Sequence, residues 1–190
     1  MTINVVVGYL SDVVRDEIAD QPENVKIVEN KEYRNTNNME SCRMGLLEND
    51  VMDGDILLIN GDCVYSDSII SLMYGLDHSA ICVDTSKYSE ENMKTLTQGT
   101  RAIAISKEIL ESQGGVTSID IYNFTNSDLR DLYKIMEGYF ENKDRNKWIE
   151  VAINDLLKRP DSNVKTFDIA GKKWIEIDNH EDLNIARKLW

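Results

Sequence analysis

Short apolar runs alternate along the chain with stretches in which apolar residues recur three and four positions apart, the pattern of strands separated by helices. Ile3–Val7 is a β-branched run ending at Gly8-Tyr9, and residues 12–19 follow as a helix with Val13, Val14 and Ile18 on one side. Residues 25–28 predict a second strand. The polar loop Asn35-Thr36-Asn37-Asn38 offers side chains that cap a helix start, and a helix is expected over residues 39–48. Residues 55–59 form the plainest strand. They are nearly all apolar, as in a central strand covered on both faces, and they stop at Asn60-Gly61-Asp62. Further helices are predicted near Asp67–Tyr74, 128–140, 147–157 and His180–Leu189, and further strands at 80–83, 102–105 and 119–124. Residues 164–169 and 174–177 read as a hairpin around Ala170-Gly171.

The first half is thus β-α-β-α-β-α-β, which predicts an α/β fold with a Rossmann-like, mixed but mainly parallel sheet and helices on both faces. A chain of 190 residues predicts one domain able to bury a real core. No run approaches the length of a membrane span, and the start lacks a basic region and a cleavage pattern, so a cytoplasmic protein that binds no membrane is expected. The net charge of −13 argues against nucleic-acid polymers as partners. It also repels a free triphosphate unless a divalent cation or a local basic site intervenes. Three scattered cysteines, Cys42, Cys63 and Cys82, fit a reducing compartment, and two isolated histidines make a histidine-based metal site implausible.

Ligands of open parallel sheets bind beyond the carboxyl ends of the strands. Asp62 stands there, as a metal or phosphate ligand or as a loop residue capping the next helix. In Trp174-Ile175-Glu176-Ile177-Asp178, strand alternation places Glu176 and Asp178 on one face. Two carboxylates so placed call for a cation such as Mg²⁺, or else line a solvated face beside the last helix. Trp148 is read as part of a core stripe in preference to a substrate wall, and Tyr122 and Tyr139 as core in preference to an aromatic cage. Cys63 is read as packing. A receiver-type phosphoacceptor needs acidic residues after the first strand, and Gly8-Tyr9-Leu10-Ser11 has none.

Taken together these segments resemble the sugar-nucleotidyltransferase-like superfamily, in particular its small cytidylyltransferases acting on phosphocholine, aminoethylphosphonate or similar compounds. The likeness is carried in order by Val6-Val7-Gly8-Tyr9, by Asn30 with Thr36-Asn37-Asn38-Met39-Glu40-Ser41, by Leu58-Ile59-Asn60-Gly61-Asp62, and by Trp174-Ile175-Glu176-Ile177-Asp178 with Glu181-Asp182-Leu183. Ile105-Ser106-Lys107 and Trp148-Ile149-Glu150-Val151-Ala152 fit between them. The resemblance implies a Mg²⁺ ion held by Asp62 and Asp178 with Glu176 beside them, Asp62 and Asp178 being the catalytic pair. It implies a nucleoside triphosphate, CTP favoured, near Asn37, Asn38, Ser41 and Gly61, and a small phosphorylated acceptor near Lys107, Tyr122, Trp148 and Glu150.

Three departures are plain. The family's N-terminal strand and Gly-rich phosphate loop have no counterpart, so the single domain, residues 1–190, is expected to be N-terminally incomplete. Its gap would be closed by pairing Ile3–Val7 directly with residues 55–59, or by a strand from a second copy or a complementing polypeptide. Asp120 stands where relatives tend to carry glycine, and Thr117 where an acidic residue is common. Two other readings stay open: a catalytically silent relative that binds a nucleotide or a partner, and a GT-A-type glycosyltransferase, whose usual Asp-x-Asp pair is reduced here to Asp62-Cys63-Val64.

Overall fold

In the computed structural model, residues 2–190 are described, except for the side chains of residues 49–51. The strands are β1 (Ile3–Val7), β2 (Val25–Glu29), β3 (Ile56–Ile59), β4 (Cys63–Tyr65), β5 (Ala80–Asp84), β6 (Lys94–Gln98), β7 (Arg101–Ser106), β8 (Val116–Phe124), β9 (Lys165–Asp168) and β10 (Trp174–Glu176). The helices are α1 (Ser11–Glu17), α2 (Asn38–Leu47), α3 (Asp67–Tyr74), α4 (Asn126–Glu141), α5 (Ile149–Leu157) and α6 (His180–Leu189). Among the described residues β1 pairs with β2, β4 pairs with β10, and six strands form a sheet in the order β3-β8-β5-β9-β7-β6.

The expectation of a mainly parallel sheet is corrected. In the six-stranded sheet only β5 and β9 run parallel, whereas β8 is antiparallel to both β3 and β5 and β7 is antiparallel to β6 and β9. The nine-residue strand β8 is the reason, because it inserts between the two strands that the βα pattern had suggested as parallel neighbours. The expected hairpin of residues 164–177 does not form either. β9 joins β5 and β7, while left-handed Ala170 and Gly171 turn the chain away so that β10 pairs with β4.

Apolar residues cover both faces of the sheet, as the alternation requires. On one face Ile81, Val83, Tyr122 and Phe124 meet Leu129, Leu132 and Met136 of α4 and Ile149, Ala152, Ile153 and Leu156 of α5. On the other, Ala80, Cys82, Ile119 and Ile121 meet Ile69 and Met73 of α3 and the Trp174 indole. Helix α2 packs on α4 and α5 and also on β1, so it joins the β1–β2 pair to the main body.

β3 lies at the end of its sheet, and Ile59 is 39% exposed. The expected direct pairing of Ile3–Val7 with this strand is not found. β1 is paired only with β2, and β3 only with β8, among the described residues. A cavity of about 470 Å³ adjoins β3, lined by Asp55, Ile56, Leu57, Tyr74, Leu76 and Asn123. No helix among the described residues is long and apolar enough to cross a membrane.

Candidate active site

β3 ends at Ile59, the chain turns through Asn60 and exposed Gly61, and Asp62 leads directly into β4. The β4–β10 register sets Cys63 opposite Glu176, and the Ile177 N–H donates to the Asp62 carbonyl at 2.8 Å. Asp62 therefore stands across from Ile177, one residue from both Glu176 and Asp178. The pairing thus brings the backbones of Asp62 and Glu176, 114 positions apart in sequence, to one strand end, while the continued register sets the Asp62 side chain on the face of Ile177 and not on that of Glu176 and Asp178. The cap of α6 is made by Asn179, whose Oδ1 accepts from the Glu181 and Asp182 N–H groups, so Asp178 is not consumed by that role. Burial, then the charges of Asp178 and Asp62, hold the Glu176 carboxyl above the usual carboxylate range. Glu176 also accepts from the Asn92 amide. No group of three or more carboxylate, histidine or cysteine side chains among the described residues is arranged to hold a metal by itself.

Behind this edge, β8 carries a bulge. Ile81 pairs with Tyr122 but Val83 pairs with Ser118, so β8 has two residues more than β5 across the interval. Asp120 lies in it with φ 59°, a left-handed conformation that costs any residue but glycine and is rare in a strand. The Asn60 N–H donates to the Asp120 carbonyl, and the Tyr65 hydroxyl to the neighbouring Ile119 carbonyl, which pins the bulge against the Asp62 turn.

The Asp120 side chain is 5% exposed, on the same face of β8 as Tyr122. The Tyr122 hydroxyl lies 3.0 Å from Asp120 Oδ1 and 3.0 Å from Glu150 Oε1. Glu150 sits in the first turn of α5 and is 3% exposed, and its Oε2 is buried with no hydrogen-bond partner. Burial, then the charges of Glu150 and Glu176, push the Asp120 carboxyl up to about 7. Burial raises the Glu150 carboxyl as well. The Tyr122 ring is fully buried and stacked near Phe124, so it supplies a hydroxyl to the site and no aromatic wall.

Trp148 departs from its expected place in a core stripe. It caps the N-terminus of α5 at 43% exposure, with the Lys107 Nζ 5.4 Å from its ring centroid. The helix it precedes begins at Ile149, two residues later than its apolar pattern suggests, which leaves the indole outside the buried face. The remaining predicted residues hold this region in place. Asn37 accepts from the Asn38 N–H and donates to Asn146, Asn38 Oδ1 accepts from the Ile149 N–H, and the Asn37 and Met39 N–H groups reach the Arg145 and Lys147 carbonyls. Ser41 accepts from Asn30, which also donates to Thr36. The Asn-rich loop thus latches the segment that presents Trp148 and Glu150. Tyr139 donates to Asp155 at 2.6 Å, away from the carboxylates. Cys63 is half-buried, and burial raises its thiol far above the reactive range.

Several participants were not singled out from the sequence. Asn92 holds Glu176, and buried Asp84 accepts from the Trp174 indole at 2.8 Å, while Thr117, noted above only as a departure from the family pattern, ties down the 87–89 loop through the Lys87 carbonyl and the Ser89 N–H. A cavity of about 150 Å³ beside β10 is lined by Lys87, Asn92, Trp174, Glu176 and Asp178, among others. The Lys87 Nζ lies 4.0 Å from the Trp174 centroid. The signal for Asp84 was available, since a carboxylate ending an all-buried strand must find donors.

No protein-family profile matches the sequence, and no curated protein does. Solved structures match it over nearly its whole length. The inositol-1-phosphate CTP transferase from T. maritima superposes with a TM-score of 0.76 at 23% identity, covering 98% of this chain and 73% of that one. The CTP:phosphocholine cytidylyltransferase from Streptococcus pneumoniae gives 0.68 at 14% identity, over 99% and 78%. The nucleoside-diphosphate-sugar pyrophosphorylase from Vibrio cholerae gives 0.69 at 17%, over 97% and 80%. The fold is therefore that of the nucleotidyltransferases.

Proposed function

We propose that this domain is a nucleotidyltransferase that moves a nucleoside monophosphate from a triphosphate, CTP favoured, to a small phosphorylated acceptor. An acceptor phosphate oxygen attacks the α-phosphorus, the bond from the α-phosphorus to the bridging oxygen breaks, and pyrophosphate leaves with the electron pair. What supports this reading is the nucleotidyltransferase fold together with the β4–β10 pairing, which brings the backbone of Asp62 beside that of the Glu176–Asp178 segment at the end of β3. Asp62 and Asp178, with Glu176 beside them, would hold Mg²⁺. When bound, the ion offsets the repulsion between phosphate and carboxylate and stabilises charge on the triphosphate. Asn37 and Asn38 fix the segment that walls the acceptor side, and Lys107 supplies a cation there.

The test is a pyrophosphate-release screen with the four triphosphates against phosphorylated amines, phosphonates and sugar phosphates, with and without Mg²⁺. Release that requires both Mg²⁺ and an acceptor supports the assignment. Absence of release with every pair, while a nucleoside diphosphate sugar is consumed, would favour a glycosyltransferase instead.

A further inference from the structure

The turn that leads into Asp62 holds the only Asn-Gly pair of the sequence, Asn60-Gly61. Nothing in the fold calls for a glycine there. A Cβ added at Gly61 meets no atom within 4 Å, and the residue lies outside the left-handed region. The half-buried Asn60 side chain makes no hydrogen bond among the described residues, whereas the amides of Asn30, Asn37, Asn92 and Asn123 all donate. The N–H of exposed Gly61 likewise meets no acceptor among them, although the Asn60 N–H is held on the Asp120 carbonyl at 3.1 Å.

This arrangement leaves open an intramolecular reaction that the bonded asparagines are denied. A bond between an asparagine Cγ and the next backbone nitrogen is hindered by a hydrogen-bonded amide, by an acceptor that retains the N–H proton, and by a side chain on the following residue. None of these hindrances is found at Asn60-Gly61 among the described residues. The two reacting atoms are tethered in one chain, so no encounter has to be arranged.

We propose that Asn60 is a site of self-modification, at which the Gly61 nitrogen closes a succinimide ring on the Asn60 Cγ and water reopens it. In the first step the Gly61 nitrogen gives its proton to solvent base and bonds to Cγ. The Cγ–Nδ2 bond breaks, and ammonia leaves with a proton from water. Reopening at Cγ gives an aspartyl residue. Reopening at the backbone carbonyl carbon gives an isoaspartyl residue, whose main chain is one methylene longer. The net reaction consumes one water and releases one ammonia. Either product adds a carboxylate beside Asp62. The isoaspartyl form also lengthens the link between two fixed points, the Asn60 N–H on the Asp120 carbonyl and the Asp62 carbonyl on the Ile177 N–H. It therefore displaces Asp62 from its place beside β10, and conversion limits the working life of Mg²⁺-dependent nucleotide binding. That consequence rests on the nucleotidyltransferase reading, whereas the modification does not.

The test incubates the full chain in heavy-oxygen water at neutral and mildly alkaline pH, beside a synthetic peptide of residues 56–65, and follows both by peptide mass spectrometry. Heavy oxygen should enter the folded chain at Asn60 ahead of every other asparagine, faster at the higher pH, and within about tenfold of the rate in the peptide. Gly61→Ala should keep the circular dichroism spectrum and slow conversion by about tenfold or more, because its Cβ obstructs ring closure. An intact Asn60 in the folded chain after the peptide has converted, or equal rates in the natural chain and Gly61→Ala, would overturn the proposal. Calorimetry of fresh and aged samples then reads the consequence. Mg²⁺-dependent nucleotide binding should fall with the converted fraction in the natural chain and hold at its starting value in Gly61→Ala aged alongside. Conversion with undiminished binding would overturn the displacement of Asp62 and leave the modification standing. Conversion in a chain that binds no nucleotide even when fresh would support the modification and remove the transferase.

Discussion

Replacing Asp120 by Asn should stabilise the protein, and by more at alkaline pH than at acid pH. An ordinary aspartate loses its proton at 3.8, whereas this one holds it to about 7. Below 3.8 both folded and unfolded chains are protonated, and the folded state bears no cost. Between 3.8 and about 7 the unfolded chain gives up the proton and the folded chain keeps it, so stability falls by about 1.4 kcal/mol per pH unit. Above 7 the folded chain ionises too, and the loss levels at roughly 4 kcal/mol. About 2 kcal/mol of this has accrued by pH 5.5, so the advantage of Asn should widen by roughly 2 kcal/mol between pH 5.5 and pH 8. Asn tolerates the left-handed backbone at least as well as Asp and can keep the Tyr122 contact, so no new strain offsets the gain. Urea denaturation of both proteins at the two pH values measures the widening directly. In melting temperature it amounts to about 4–8 °C for a domain of this size. A constant difference between the two proteins across this range would mean that the Asp120 carboxyl is not buried against Glu150 and Tyr122.

Asp62→Ala and Asp178→Ala should each abolish Mg²⁺-dependent nucleotide binding by calorimetry while the circular dichroism spectrum is unchanged, since both side chains are exposed; retained binding in both would refute their role as ligands. Trp174→Phe keeps most of the buried ring but removes the donor to Asp84, so chemical denaturation should show a loss of about 1–3 kcal/mol. Because β1 and β3 each have one edge without a strand partner, this polypeptide alone should turn over far more slowly than about 1 per second, and an ordinary enzymatic rate without any added partner would contradict that.

The apolar pattern located nearly every element, because it reports which faces of a segment are covered. Ile56 and Leu58 do pack on the α4–α5 side and Leu57 on the α3 side, as the unbroken run in residues 55–59 implies. Coverage of faces says nothing about hydrogen bonding at edges, however, so the same run was read as a central strand although β3 is terminal in its sheet. Strand direction is likewise invisible to periodicity. The antiparallel insertion of β8 and the β4–β10 pairing depend on which edges meet, and those are decided by contacts far apart in sequence.

The site divides along the same line. Asp62, Glu176 and Asp178 could be nominated because strand-end carboxylates have few structural uses, and the structure does bring their two segments side by side through the β4–β10 pairing. Trp148 was misplaced because the helix starts at Ile149, two residues later than the pattern predicts, so Trp148 becomes its N-cap and lies outside the buried stripe. Asp120 carried a usable signal in Ile119-Asp120-Ile121-Tyr122, where a carboxylate interrupts a strand whose other members are buried. Such a group must be paired, protonated or placed at a ligand. Its partner could not be named from the sequence, since Glu150 lies 30 positions away on a helix and reaches Asp120 only through the Tyr122 hydroxyl. The bulge decides the matter physically. Without the two extra residues in β8, Asp120 would adopt an ordinary strand backbone in regular register with β5. With them, the left-handed turn brings its carboxyl to within 3.0 Å of the Tyr122 hydroxyl, which also lies 3.0 Å from Glu150 of α5.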